Sequence, residues 1–487
     1  MSEQIAAGAV YRVAEVRSAE QALMATLPPG TLMARAAAGL ARRCALALQD
    51  RFGSVYGRQV LLVVGAGDNG GDALYAGARL AARGAAVTAV LLSPDRAHPG
   101  GLTALRAAGG RVLPAGSPAA TDVVAGARLV LDGIVGIGGS GGLRPAAAGL
   151  VAAVTGTVVA VDLPSGVDAD TGAVEGEAVR ADVTVTFGTL KPGLLVGAGA
   201  EHAGDVRLVE IGLDLPEPRL RVLDPADVAR LVPRPGPRDD KYTRGVVGVA
   251  AGSSTYPGAG VLSTGAAVHG GAGMVRYAGG AAEHVRSRWP EAIVTEGKPS
   301  EAGQVQAWVV GPGIGTDDAA AGLLRDVLGQ DVPVLVDADG LTLLAREPEL
   351  VRSRTAPTVL TPHDREFERV AGPVGADRVG AARRAAAEMG VTMLLKGNAT
   401  VVAGPDGFAY VNPTGTPWLA TAGSGDVLSG LAGALLAGGV EPALAAALAA
   451  YLHGLAGSIA AGGATTSATG VLAALPAALR TVCAAAG

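Results

Sequence analysis

The sharpest chemical signature in this 487-residue chain is Thr421-Ala422-Gly423-Ser424-Gly425-Asp426. Small residues let the backbone turn tightly and aim several N–H groups at one point. The helical run that follows, Val427-Leu428-Ser429-Gly430-Leu431, adds the positive end of its dipole there. Such a point binds phosphate or another anion. A carboxylate beside an anion is unfavourable, so Asp426 suggests a task, such as taking the proton from a hydroxyl that attacks phosphorus. The alternative is a helix-capping Asp in a glycine-rich turn.

A second set lies in the first half. Gly65-Ala66-Gly67-Asp68-Asn69-Gly70-Gly71-Asp72 follows the apolar run QVLLVV. Asp132 is followed by Gly133-Ile134-Val135-Gly136-Ile137-Gly138-Gly139-Ser140-Gly141-Gly142, and Asp162 by Leu163-Pro164-Ser165-Gly166. If each segment ends a parallel strand, Asn69, Asp72, Asp132, Asp162 and Ser165 converge on one sheet edge. They would offer oxygen ligands to a hard cation and carboxylates for acid/base work. Each alone reads better as a turn or cap residue; their recurrence at successive strand ends is harder to explain that way. Lysine is also informative. It occurs only at 191, 241, 298 and 396, while arginine supplies the remaining cations. A chain so biased keeps lysine where a compact ammonium is needed. Lys298 sits in a plain loop; the other three fall inside motif-like stretches.

The elements that must position these residues alternate strand and helix. Residues 13–50 read as one Ala-rich helix. Strands are expected at 59–64, 87–92, 129–131, 158–161 and 183–186, with a glycine-rich loop at 65–72 before a helix. This is a Rossmann-like doubly wound parallel sheet, class α/β. Proline, arginine and aspartate crowd 213–240 and mark a linker with one short helix. A second α/β series follows, with strands at 246–249, 308–310, 334–336, 359–360 and 393–395. Their ends carry Gly311-Pro312-Gly313, Asp337-Ala338-Asp339, Thr361-Pro362-His363 and Lys396-Gly397-Asn398-Ala399-Thr400. Domains are therefore expected at 1–218 and 241–487, joined by 219–240.

The net charge of −5, with both signs dispersed, presents no basic face for nucleic acid. Two distant cysteines form neither a disulfide framework nor a metal pattern, which suits a reducing cytoplasm. The N-terminal residues lack the apolar core of a signal peptide. The Ala/Leu-rich stretch 430–461 is interrupted by Gly438-Gly439, Glu441-Pro442 and His453, so two buried helices are expected rather than a membrane span. Glycine- and alanine-rich helices pack readily, and a homo-oligomer is expected.

With these motifs in order, the first half resembles NAD(P)H-hydrate epimerase, whose loop reads G-x-G-N-N-G-G-D-G and whose later strand ends carry D-x-x-x-G-x-G and D-[IL]-P-S-G. The second half resembles ADP-dependent NAD(P)H-hydrate dehydratase of the ribokinase superfamily. Its pattern is Lys241-Tyr242-x-x-Gly245, Gly258-Ala259, Gly311-Pro312-Gly313, Asp337-Ala338-Asp339, Thr361-Pro362-His363, Lys396-Gly397 and Gly423-Ser424-Gly425-Asp426. Together they cover nearly the whole chain in the order of bifunctional NAD(P)H-hydrate repair enzymes.

The resemblance implies that Asn69, Asp132 and Ser165 hold potassium. It implies that Asp68, Asn69, Gly70, Gly71, Asp72, the segment Gly136, Ile137, Gly138, Gly139, Ser140, Gly141 and Gly142, and Asp162 hold the hydrated nucleotide. Asp162 is the acid/base candidate there. The chain departs from the pattern at Asp68 and Ala73, and the charge of Asp68 beside a phosphate-rich ligand calls for potassium or a nearby arginine. In the second half, Ala259, Gly313, His363 and Asp426 would bind the hydrate. Lys396, Gly397, Asn398, Ala399, Thr400 and Gly425 would bind ADP with magnesium, and Asp426 would be the base. The implied partners are small molecules: hydrated NADH and NADPH, and ADP. The competing reading is a ribokinase-superfamily kinase for a vitamin precursor, with a non-catalytic nucleotide-binding front domain.

Overall fold

The computed structural model describes residues 8–139 and 141–484, which fall into two compact units, Met1–Arg219 and Leu220–Gly487. The first is built on a parallel sheet ordered Arg111–Pro114, Ala86–Leu91, Gln59–Val64, Leu129–Gly133, Thr157–Val161, Val183–Phe187, Asp205–Val209. Both faces are covered, which is why residues 60–64 of QVLLVV are all apolar. Val60, Leu62 and Val64 pack with Leu40, Leu48 and Leu74, whereas Leu61 and Val63 pack with Ala120, Val124 and Val130. The strand order reverses between Gln59–Val64 and Leu129–Gly133. That reversal opens a crevice beyond their carboxyl ends, where an open α/β sheet binds its ligands.

Three local expectations change. Residues 13–50 form two helices, Val13–Met24 and Thr31–Phe52, because Pro28 and Pro29 cannot continue a helix and Gly30 takes φ +81°. The glycine-rich loop is shorter than expected: Gly67, at φ +93°, ends it, and the helix Asp68–Ala82 already contains Asp68 to Asp72. Residues 220–231 carry the expected short helix, Pro225–Leu231, but also a strand that was not expected, Leu220–Val222, paired with Ala409–Val411. Short strands at Arg111–Pro114, Asp205–Val209 and Met274–Tyr277 were not visible as apolar runs.

The second unit carries a sheet with consecutive neighbours Leu220–Val222, Ala409–Val411, Val401–Ala403, Thr392–Leu395, Thr358–Leu360, Val334–Val336, Ala307–Val310, Val246–Ala250, Met274–Tyr277, Ile293–Val294. Only the pairs made by Val401–Ala403 are antiparallel among these. The order reverses at Val246–Ala250, again setting a crevice at the carboxyl edge. Helices Pro257–His269, Ser424–Ala437, Pro442–Ala461 and Ala468–Ala484 bury the core against the sheet. Pro442–Ala461 is long and apolar enough to cross a membrane by composition alone, yet most of it is buried inside this unit.

Candidate active sites

In the first unit, Asp162 follows the strand Thr157–Val161 and is one of two non-glycine residues with positive φ, +67°, among those described. A carboxylate side chain tolerates that region better than most. The turn directs its Oδ1 at Lys191. Lys191 Nζ donates to it at 2.6 Å, to Thr186 Oγ1 at 2.9 Å and to the Phe187 carbonyl at 2.8 Å. Thr186 Oγ1 and the Phe187 N–H also donate to Asp162 Oδ1, at 3.1 and 3.2 Å. Lys191 is 1% exposed, so this is a buried ion pair in which all three ammonium hydrogens have acceptors.

The expected cation ligands meet. Ser165 Oγ donates to Asp132 Oδ1 at 2.7 Å, and the Ser165 N–H donates to Oδ2 at 2.8 Å. The Val135 N–H in turn donates to Ser165 Oγ at 3.0 Å. Asn69 adjoins them: a Cβ at Gly136 would stand 2.9 Å from its Oδ1, and its Nδ2 is buried without a hydrogen-bond partner. Burial pushes the Asp132 carboxyl up to about 6 against the pull of its Ser165 and Ile134 hydrogen bonds. A buried carboxylate without a basic neighbour, beside an under-satisfied amide and a buried hydroxyl, is an oxygen set that fits a hard cation.

The first helical turns from Asp68 border the same crevice. Asp72 is pushed up to about 8, by burial first and then by Asp162, Asp68 and Glu20; its Oδ1 is buried without a partner. Gly71 is tightly packed: a Cβ there would stand 3.0 Å from the His98 ring. Gly136 lies against Asn69, Ile137 and Gly138 lie beside Arg17, and Gly139 packs on Val135. Gly142 turns away, pressed against the Glu175 backbone, and the Leu143 N–H donates to the Glu177 carbonyl at 2.7 Å. Ser140 lies outside the described residues. Lys191, Thr186, Arg17 and Glu20 were not anticipated here. Only Lys191 had a signal, its rarity.

In the second unit, Asp426 sits in the first turn of Ser424–Ala437, after Gly423 at φ +86°. Lys396, at the end of Thr392–Leu395, sends Nζ to Asp337 Oδ1 at 2.8 Å and to Glu366 Oε2 at 3.5 Å. Ser429 Oγ donates to Asp337 Oδ2 at 2.7 Å. A Cβ at Gly425 would stand 3.6 Å from Lys396 Nζ and 3.7 Å from Asp337 Oδ2. The lysine therefore points at the helix N-terminus. Burial alone would lower the Lys396 pKa; Asp337 and Glu366 outweigh it, and the net shift is upward. The Asp426 carboxyl is pushed up to about 7 by burial and by Asp337, with Lys396 pulling the other way.

The remaining expected residues frame this centre. Ala259 and Gly313 touch: a Cβ at Gly313 would stand 2.8 Å from that of Ala259. One turn after Ala259, Ser263 Oγ donates to the Asp426 carbonyl at 3.1 Å. His363 is a helix cap, its Nδ1 accepting from the Glu366 N–H at 3.3 Å, and Glu366 links it to Lys396. Lys396 to Thr400 form the turn between two antiparallel strands, with Gly397 and Asn398 exposed. Ala338 is the other non-glycine residue with positive φ, +50°. Among the described residues no three His, Cys, Asp or Glu side chains cluster to hold a metal. Asp337 and Glu366 as the lysine's partners were missed.

Comparison with known proteins places both units. Residues 29–193 match a family model described as YjeF-related protein N-terminus, and residues 247–476 match one described as NAD(P)H-hydrate dehydratase. The chain is 58% identical over 447 residues to the bifunctional NAD(P)H-hydrate repair enzyme Nnr of Mycobacterium leprae (strain TN), covering 91% of this chain and 92% of that one. Its namesake in Mycobacterium tuberculosis (strain ATCC 25618 / H37Rv) is 58% identical over 441 residues, covering 90% and 91%. A crystal structure of a ribokinase-like superfamily protein from Enterococcus faecalis V583 aligns at 27% identity and TM-score 0.50, covering 56% of this chain and 99% of that chain. The chain belongs to the family of bifunctional NAD(P)H-hydrate repair enzymes.

Proposed function

We propose that the chain restores hydrated NADH and NADPH in two steps: residues 1–218 interconvert the R and S hydrates, and residues 241–487 dehydrate the S form at the expense of ADP. Residues 219–240 lead into the second domain. The observation that carries the reading is the meeting of Lys396, Asp337 and Gly425 at the helix N-terminus that bears Asp426.

In the front cleft, Asp162 takes the hydroxyl proton of the hydrated carbon as its bond to the ring nitrogen opens. The nitrogen keeps the electron pair, and re-addition to the other face of the carbonyl inverts the centre and returns the proton. Lys191 fixes the carboxylate that does this. The segments from Asp68 to Asp72 and from Gly136 to Gly142 border the nucleotide. Asn69, Asp132 and Ser165 would hold potassium, which supplies positive charge among the cleft's carboxylates.

In the back cleft, Asp426 takes the proton of the hydrate's hydroxyl while that oxygen attacks the terminal phosphorus of ADP, and AMP leaves. A base with pKa about 7 is matched to this task near neutral pH. The Lys396 ammonium and the N–H groups around Gly425 face the phosphoryl oxygens, whose charge they offset as it shifts. The ring nitrogen then expels inorganic phosphate, and loss of a proton from the neighbouring carbon restores the reduced ring. Magnesium, bound chiefly by the phosphates, would neutralise part of their charge. Lys396, Gly397, Asn398, Ala399, Thr400 and Gly425 bind the nucleotide; Ala259, Gly313 and His363 line the hydrate. The expected setting is the reducing cytoplasm, consistent with free Cys44 and Cys483, and the expected assembly a homo-oligomer.

The test is to incubate the full chain with both hydrate epimers and ADP, ATP or neither, following reduced-nicotinamide absorbance and phosphate. Complete recovery with stoichiometric phosphate is expected with ADP. A stable phosphoester product would refute the dehydratase assignment. Recovery of the S fraction alone would refute the epimerase assignment.

A further inference from the structure

The helix Val13–Met24 precedes the stretch that matches the front family model and contains none of the motifs discussed above. It is nevertheless built into the front cleft. The Val13 N–H donates to Asp170 Oδ1 at 2.8 Å, which ties down the start of the helix, and Val16 and Ala19 are buried. Arg17 and Glu20 lie one turn apart on one face. Arg17 Nη2 makes a long contact with the Ile137 carbonyl, 3.4 Å, and a Cβ at Gly138 would stand 3.3 Å from it. Glu20, half-buried, is pushed up by burial and by the charge of Asp162, and drawn down by Lys191 and Arg17.

The charges around this cleft are mostly negative: Asp68, Asp72, Asp132, Asp162 and Glu20. Lys191 is buried and committed to Asp162, Thr186 and the Phe187 carbonyl. A dinucleotide brings further negative charge and needs a cation with donors turned to solvent. Arg17 is exposed, lies beside Ile137 and Gly138 of the glycine-rich segment, and among the described residues makes one long hydrogen bond there.

We propose that Arg17 is the phosphate-binding residue of the front cleft, holding a phosphate of the hydrated dinucleotide with its guanidinium. The assignment rests on the epimerase reading above. A guanidinium suits this because it stays charged and offers paired donors to phosphate oxygens.

The test compares wild type, R17A and R17K as full chains on the R hydrates of NADH and NADPH, at constant potassium with and without added choline chloride. Epimer ratios are read by chromatography. R17A is expected to raise KM roughly 10- to 100-fold with kcat within about twofold, as for loss of a charged hydrogen bond. R17K should recover part of that loss. Wild-type KM should climb with salt more steeply than that of R17A. An equal rise for both substrates identifies the pyrophosphate, and a rise confined to the NADPH hydrate identifies the 2′-phosphate; both support the proposal. Unchanged KM, or a fall in kcat alone, would overturn it and reduce Arg17 to a structural contact. If R17A does not fold, the R17K KM and the wild-type salt dependence decide. A wild-type chain that epimerises neither substrate would instead overturn the epimerase reading itself.

Discussion

Asp426→Asn should abolish dehydration while making the second unit more stable. Burial and Asp337 push the Asp426 carboxyl from its ordinary 3.8 to about 7. The folded-state pKa lies above the unfolded one, so the folded state binds more protons. The stability associated with this group is fully present below the unfolded pKa and is lost as pH rises through about 7. At about 1.36 kcal/mol per unit, the ionised carboxylate costs up to about 4 kcal/mol at pH 8, and screening reduces that to about 2. An amide of the same shape does not ionise, so the gain should appear in the melting of the second unit at pH 8 and vanish near pH 4. Activity moves the other way. A carboxylate titrating near 7 is about one-tenth ionised at pH 6 and about nine-tenths at pH 8, so wild-type turnover of the pure S hydrate with ADP should rise about tenfold across that window. The amide accepts no proton, and turnover should fall about 100- to 10,000-fold at every pH. The assay is reduced-nicotinamide recovery with spontaneous reaction subtracted, alongside calorimetry. A flat wild-type pH profile, or a variant retaining a tenth of wild-type turnover, would refute the reasoning.

Lys191→Met leaves Asp162 buried without its cation; the first unit should lose about 3–5 kcal/mol and epimerisation should be lost, while dehydration of the S hydrate continues. Adding Asp162→Asn should return much of the stability, and denaturant melts of the first unit would show it; additive losses would contradict the ion-pair account. Ala338→Gly relieves a φ of +50° next to Asp337, and after the entropic cost of glycine a net gain of about 1 kcal/mol is expected by thermal melt, with no gain ruling out strain. Gly425→Ala places a methyl 3.6 Å from Lys396 Nζ, where phosphate oxygens would lie. KM for ADP should rise at least about tenfold with melting nearly unchanged, and an unaltered KM would remove phosphate from that spot.

Much of both sites could be read from residue order. Lys396, Gly425 and Asp426 stood out because a scarce lysine and a small-residue turn before a helix each have a local cause, and the structure brings them to one point. Asp132 and Ser165 were grouped as strand-end residues, and they hydrogen-bond directly. What was missed was non-local. Asp337 and Glu366 look like ordinary acids until the strands Val334–Val336, Thr358–Leu360 and Thr392–Leu395 lie side by side and Lys396 reaches both. Arg17 and Glu20 are indistinguishable from solvated charges on an amphipathic helix until Asp170 anchors the start of that helix and Arg17 meets the Ile137 carbonyl.

The sequence by itself determined the two α/β units, the glycine-rich turns at the strand ends and the family, because each is written in local pattern: apolar runs, small residues and their order. Only the tertiary structure decided which charges face one another. The Asp162–Lys191 ion pair, the upward shift of Asp426 and the place of the first helix at the front cleft depend on burial and on neighbours distant in the chain. Electrostatic energy is set by separation in space and by exclusion of water, and neither is a property of local sequence.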